Sequence, residues 1–158
     1  MEATAIVQLL DTFIQTHQEL NQLAKEKEQA VIHSDLEQIK TIIQKETMYV
    51  KMLEQLERQR EQIAKQVIQT GDRSLKAMLP FFHEQDQVTM IERQQTLMAE
   101  IETLQYQNAL NQQLIFDSLK FINLSLDLAQ PVDPFARYSD RTDEEDGRPV
   151  RSMFDTKA

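Results

Sequence analysis

The chain has 158 residues, a formal net charge of −9, two glycines, four prolines and no cysteine. Without cysteine it cannot form disulfides or thiolate metal sites, and its negative charge disfavours nucleic acid and anionic membranes as partners because like charges repel. Because helix-breaking residues are rare and the regular turn signals of a β-protein are missing, the sequence predicts one all-α domain of long helices.

The apolar runs and the first residues bear on location. No run approaches the roughly 18 apolar residues of a membrane span. The opening residues, MEATAIVQLLDTF, lack the basic region of a signal peptide. We therefore expect neither a signal peptide nor direct insertion into a membrane, and the lack of cysteine fits a reducing cytosol.

The first predicted helix covers residues 3–32, where apolar residues recur every three or four positions. His17 falls on this apolar line, which favours a histidine of the core over a metal ligand. Residues 33–37 then form a predicted tight reversal. In it, Ser34 starts the second helix through a capping box with Glu37.

The second predicted helix covers residues 35–69 and has one broad apolar stripe. Gly71 is the predicted left-handed stop signal. Residues 74–79 form a predicted short helix that Pro80 ends. We expect Phe81 and Phe82 to plug this end of the bundle.

The last predicted helix covers residues 85–129 and would be roughly 65 Å long, against about 45–50 Å for each of the other two. It must therefore bend or project beyond its partners. A line of residues spaced alternately by four and three indicates a coiled-coil seam, in which several members are small or polar. The seam consists of Met90, Gln94, Leu97, Ile101, Leu104, Asn108, Asn111, Ile115, Ser118, Ile122, Ser125 and Ala129.

Residues 131–158 differ from the rest, with three of the four prolines and an acidic run at 143–146. Such a segment buries too little apolar surface to offset the entropy of ordering. We predict a helical bundle over residues 1–130 and a disordered acidic and aromatic tail over residues 131–158. Residues 149–156 have apolar side chains at helical spacing, so they either fold as a short helix onto the last long helix or remain a featureless tail.

The predicted fold is therefore an all-α antiparallel bundle or coiled coil of three long helices and one short helix. It carries no enzyme motif. The glycines of a phosphate-binding loop are missing, and none of the three histidines has a partner at metal-ligand spacing. We expect no catalytic residue, no metal and no cofactor.

Residues 114–128, LIFDSLKFINLSLDL, carry more apolar surface than one packed helix needs. Their apolar arc is about 180° wide, where a packed helix uses somewhat more than 100°. Either this helix is buried between two others, or part of the arc binds another protein as a groove for a helix. Its length favours the second interpretation. The predicted groove consists of Ile115, Leu119, Ile122 and Leu126, with Phe116 or Leu124 at its edge and Ser118 giving a partner helix room to approach.

Three stretches resemble the FlgN family of flagellar type III export chaperones, within about residues 5–130. They are Lys27-x-x-Ala30, the Ser34-Asp35 turn with Leu36-x-x-Ile39-x-x-x-Ile43-x-x-Glu46, and Asn111-x-x-Leu114-Ile115-x-x-Ser118-Leu119-x-Phe121-Ile122. The resemblance implies a cytoplasmic chaperone that binds C-terminal helical segments of hook-associated proteins. It would prevent their early assembly and deliver them to the cytoplasmic domain of the export gate.

The resemblance also implies roles for single residues. It places the client contact on the last helix, which adds Asn111 to the predicted site. It implies that a tail tyrosine followed by glycine docks on the export gate. Tyr138 is the matching tyrosine, although Gly147 lies nine residues further on, beyond the acidic run. The same apolar surface could instead join two copies as a homodimer, or make the chain a self-assembling structural coiled-coil protein.

Overall fold

The structure is a computed structural model that describes residues 3–129. Its elements are α1 (Thr4–Ile32), α2 (Leu36–Val67), the short α3 (Leu75–Met78), a 3₁₀ turn (Leu79–Phe81) and α4 (Glu84–Ala129). The prediction of an all-α fold with three long helices and one short helix is confirmed. The predicted tail, residues 131–158, lies outside the described residues.

Helix α1 is the centre of the bundle. Helix α2 runs antiparallel to it, so that residues on both sides of the tight turn face each other. Helix α4 packs along another side of α1, while α2 and α4 hardly touch. The three long helices therefore run up, down and up, and α1 is the helix that both of the others cover.

The largest of the buried clusters in residues 3–129 lies at the end of the bundle where α1 begins and α2 ends. There the short α3 and the start of α4 close the bundle. The buried side chains of this core include Ile6, Leu9, Leu10, Leu56, Ala64, Met78, Phe82 and Met90. Of the two phenylalanines predicted to plug this end, Phe82 does so, whereas Phe81 is 57% exposed.

The turn between α1 and α2 corrects the predicted cap. Ser34 has a positive φ of 54°, and its amide donates to the carbonyl of Val31 at 3.1 Å while the amide of Asp35 donates to Ala30 at 2.9 Å. Ser34 thus closes the end of α1 in the left-handed conformation. Because it cannot also take the conformation of an N-cap, Asp35 caps α2 instead, accepting from the amide of Gln38 at 3.1 Å.

The connection from α2 to α4 agrees with the prediction in part. Helix α2 ends at Val67, two residues before the predicted end. Gly71 has the predicted positive φ, 103°, but lies inside the connection rather than at the helix end. The hydroxyl of Ser74 then caps α3 by accepting from the amide of Ala77 at 3.3 Å.

Candidate functional site

Polar contacts between α1 and α4 set how the two helices lie against each other. The side-chain amide of Asn21 donates to the carboxylate of Glu100 at 2.7 Å, and the two residues are 79 positions apart in the chain. Asn111 donates to the carbonyl of Ala24 at 2.7 Å, across 87 positions. Since the separation stays nearly constant along both helices, α1 and α4 are parallel.

This register leaves the end of α4 beyond the end of α1. Where the two helices pack together, each residue of α4 lies beside a residue of α1 that is 79 to 87 positions earlier in the chain. The last residue of α1, Ile32, is therefore level with residues 111–119 of α4. Helix α4 continues to Ala129. It therefore projects past α1 by about 15–27 Å, at 1.5 Å per residue. We call residues 119–129 the projecting end of α4.

Burial along the predicted seam changes at this level. The seam residues of α4 are buried or half-buried from Met90 to Ser118 and exposed from Ile122 onwards. The side of α4 that packs against α1 therefore continues past α1 without a cover in the described part of the chain. An uncovered apolar stripe of this kind is typical of a protein-binding site.

The projecting end separates apolar from charged residues. Its seam members are Ile122, Ser125 and Ala129, and the flanking positions are all apolar, at Leu119, Phe121, Leu126 and Leu128. The charged residues of the projecting end are Lys120 and Asp127, which lie off the seam. A wide face without charge favours a helix with an apolar side as its partner.

The structure brings together five of the residues predicted from the sequence. Leu119, Ile122 and Leu126 are 55%, 51% and 54% exposed and lie on or beside the uncovered seam. Ile115 and Ser118 are half-buried at the point where α1 ends. These five residues form one continuous strip along α4.

The other predicted residues lie elsewhere. Asn111 is 2% exposed, because its amide is bound to α1 inside the bundle. Phe116 and Leu124 are exposed but lie on the opposite side of α4. At 100° per residue they are about 120° and 160° around the helix from Ile122 of the seam. Tyr138 lies outside the described residues.

Sequence reasoning missed a second apolar surface, a groove between α2 and α4 that has α1 as its floor. We call it the α2–α4 groove. It encloses about 510 Å³, and its lining includes Phe13 and His17 of α1, Val50 and Leu53 of α2, and Leu97 and Ile101 of α4. The seam predicted Leu97 and Ile101 as buried contacts, but nothing in the local spacing indicates that α2 and α4 stand apart.

His17 is the titratable group on the floor of this groove. Its Nδ1 donates to the carbonyl of Phe13 at 2.9 Å. Burial lowers the pKa of His17, although this hydrogen bond and the nearby Glu100 carboxylate act to raise it. The imidazole is therefore held neutral as part of the core, in agreement with the prediction of a core histidine.

The model of the family described as FlgN protein matches residues 1–140. The chain belongs to the FlgN family. FlgN proteins are non-enzymatic chaperones of flagellar export.

The chain is also similar to Uncharacterized protein YvyG of Bacillus subtilis (strain 168). The two are 24% identical over 160 residues, which cover the whole of both chains. No solved structure matches the chain.

Between residues 3 and 129, no helix has a stretch long and apolar enough to cross a membrane. Over the same residues, no three His, Cys, Asp or Glu side chains are grouped so that they could hold a metal ion.

Two of the residues that carry the resemblance to FlgN proteins have a structural explanation. Lys27 and Glu46 form an ion pair between α1 and α2, with 2.9 Å between Nζ and Oε2. Their side chains are only 12% and 4% exposed. The pair therefore fixes the α1–α2 hairpin and does not belong to the surface of the projecting end.

Proposed function

We propose that this FlgN protein is a cytoplasmic chaperone for hook-associated proteins. It binds their C-terminal helical segments on α4, prevents premature assembly, and delivers them to the export gate of the flagellar type III secretion system. The observation that supports this proposal is the seam of α4, which is covered by α1 up to Ser118 and uncovered from Ile122 onwards.

The proposed binding mode follows from the packing of the bundle. An amphipathic client helix would lie where α1 stops and would continue the contact that α1 makes with α4. Ile115, Leu119, Ile122 and Leu126 would supply apolar contact, while Ser118 allows close approach. Asn111 would act indirectly, by holding the register between α1 and α4 that leaves this strip open.

The energetics require no cofactor and no hydrolysis. Burial of apolar surface contributes about 25 cal/mol per Å², before the entropic cost of association. Phe116 and Leu124 lie on the other side of α4, so they contact the client only if its chain passes around the helix. Release would follow from competition or dilution, since no covalent step is involved.

Two further parts of the proposal concern the tail. We propose that residues 1–130 are the folded chaperone domain and that residues 131–158 are a flexible tail. Within it, Tyr138 is the proposed contact with the cytoplasmic domain of the export gate. The support for Tyr138 is the family resemblance, from which this sequence departs because Gly147 is distant and follows an acidic run.

A second copy of the chain is the competing occupant of the projecting end. In an antiparallel pair that places Ile122 opposite the second copy's Ser125, Ser118 comes opposite the second copy's Ala129. Each of these pairs then contains at least one small residue, which lets the two helices approach closely. A homodimer of this kind would shield the surface before a client binds. Growth beyond a dimer in sedimentation experiments would instead favour a self-assembling coiled-coil protein.

The proposed function is tested by co-purification of the full chain with a hook-associated protein. The double variant Leu119→Asp, Ile122→Asp should lose the client, because two carboxylates would be buried against an apolar helix without partners. Its helical circular dichroism should not change, since both side chains are exposed.

The matched control is Lys120→Gln, Asn123→Asp. It changes the net charge by the same amount at the same level of α4, but off the seam. It should retain the client. Equal binding by both double variants, or equal loss in both, would contradict the proposed site.

A further inference from the structure

The α2–α4 groove is a second unfilled apolar surface, separate from the projecting end. It exists because α2 and α4 both pack against α1 without closing on each other. Ten of its fourteen lining residues are apolar, and the enclosed space is about 510 Å³. A fourth apolar segment placed here would contact all three long helices.

The charged groups in its walls, Glu57 and Arg60, and His17 on its floor already have partners. Arg60 donates to both carboxylate oxygens of Glu57, at 2.9 and 2.7 Å, and to the carbonyl of Arg73 at 3.0 Å. His17 donates to its own helix, to the carbonyl of Phe13. The groove therefore needs no charged ligand, and its occupant is a short apolar segment.

The length of the groove limits the size of this segment. The α4 residues that line it run from Gln94 to Leu104, a distance of about 15 Å along the helix. A helical segment of eight residues is about 12 Å long. The occupant is therefore about two helical turns, much shorter than α1 or α2.

The chain carries one such segment in its tail, residues 149–156, with the sequence PVRSMFDT. Val150, Met153 and Phe154 are spaced by three and one, so they share one side if the segment is helical. Pro149 stands at the first position, where a helix accepts proline.

The connecting residues are long enough to bring this segment to the groove. From Ala129, the level of Leu104 to Gln94 lies about 38–53 Å back along α4. The intervening residues, 130–148, span up to about 63–68 Å when extended. Because the segment and the groove belong to one chain, their effective concentration is on the order of millimolar.

We propose that residues 149–156, at the end of the otherwise flexible tail, bind reversibly in the α2–α4 groove of their own chain and add a fourth apolar element to the bundle. Val150, Met153 and Phe154 face Phe13, Leu53 and Ile101. Residues 130–148 then run back past the projecting end of α4. This contact lies on a different surface from the proposed client site and does not depend on client binding.

Because the natural chain has no cysteine, engineered cysteines can test the contact without background. Met98→Cys at the rim of the groove is combined with Met153→Cys in the tail, and a bismaleimide is added to the purified chain without client. The matched control combines Thr96→Cys, which is exposed on the opposite side of α4 from Met98, with Met153→Cys. We expect the first pair to cross-link within one chain at least about tenfold faster than the control, at a rate independent of protein concentration.

A third variant adds Phe154→Asp to the Met98→Cys, Met153→Cys pair. It should slow the cross-link by about tenfold or more, because full burial of a phenylalanine shifts an equilibrium by that factor. Equal rates for the two cysteine pairs would overturn the proposal. So would a cross-link that forms mainly between chains, which would show that a second copy fills the groove.

Discussion

Replacing Glu46 by leucine removes the carboxylate that receives the ammonium group of Lys27 between α1 and α2. The two groups are 2.9 Å apart, and their side chains are 4% and 12% exposed. Breaking a buried ion pair by removing one partner costs about 3–5 kcal/mol, because the other charge stays in a medium that solvates it poorly. Since Lys27 keeps some contact with water and has a further interaction besides the one with Glu46, we expect Glu46→Leu to lower the free energy of unfolding by about 3 kcal/mol, the lower end of this range.

For a chain of 158 residues, a loss of about 3 kcal/mol corresponds to a fall in melting temperature of about 6–12 °C. Urea and thermal unfolding followed by circular dichroism would measure it. The double variant Lys27→Met, Glu46→Leu should recover most of the loss, because two apolar side chains of similar length can replace a buried pair. The reasoning is refuted if Glu46→Leu costs less than about 1 kcal/mol, or if the double variant is no more stable than the single one.

Two further predictions concern single residues. Ser34→Gly should raise the free energy of unfolding by about 1 kcal/mol, because Ser34 has a φ of 54° that glycine adopts without strain. Urea titration would measure the change, and an unchanged or lower midpoint would show that the serine is not strained there. Stability should also fall as the pH drops below about 6.5, because burial lowers the pKa of His17 from its usual 6.5, so the unfolded chain binds a proton that the folded chain resists. His17→Gln should flatten this part of the pH profile, and an unchanged slope would assign it to other groups.

Much of the fold could be predicted because the relevant information is local. The spacing of apolar residues within α1, α2 and α4 depends on the helical period, which is the same in every protein. The predicted bounds of these helices agree with the structure within one or two residues. The cap at Ser34 was predicted wrongly because the end of α1 and the start of α2 both require this residue, in different conformations. Ser34 closes α1 in the left-handed conformation, so it cannot also cap α2.

The candidate surface was predictable in part. The excess of apolar residues in 114–128 and the length of α4 indicated that some of this helix would remain uncovered. Which residues stay uncovered depends on where α1 ends against α4. That boundary separates Asn111, which is bound inside the bundle, from Leu119 and Ile122 on the projecting end.

The sequence by itself thus determined the helices, the seam of α4 and the amount of apolar surface that the chain must cover. Only the tertiary structure decided the register between α1 and α4 and the separation of α2 from α4, which produce the projecting end and the α2–α4 groove. The physical reason is the range of the interactions. Helical periodicity arises between residues three or four positions apart, whereas the register rests on contacts such as Asn21 with Glu100 and Asn111 with Ala24, between residues 79 and 87 positions apart.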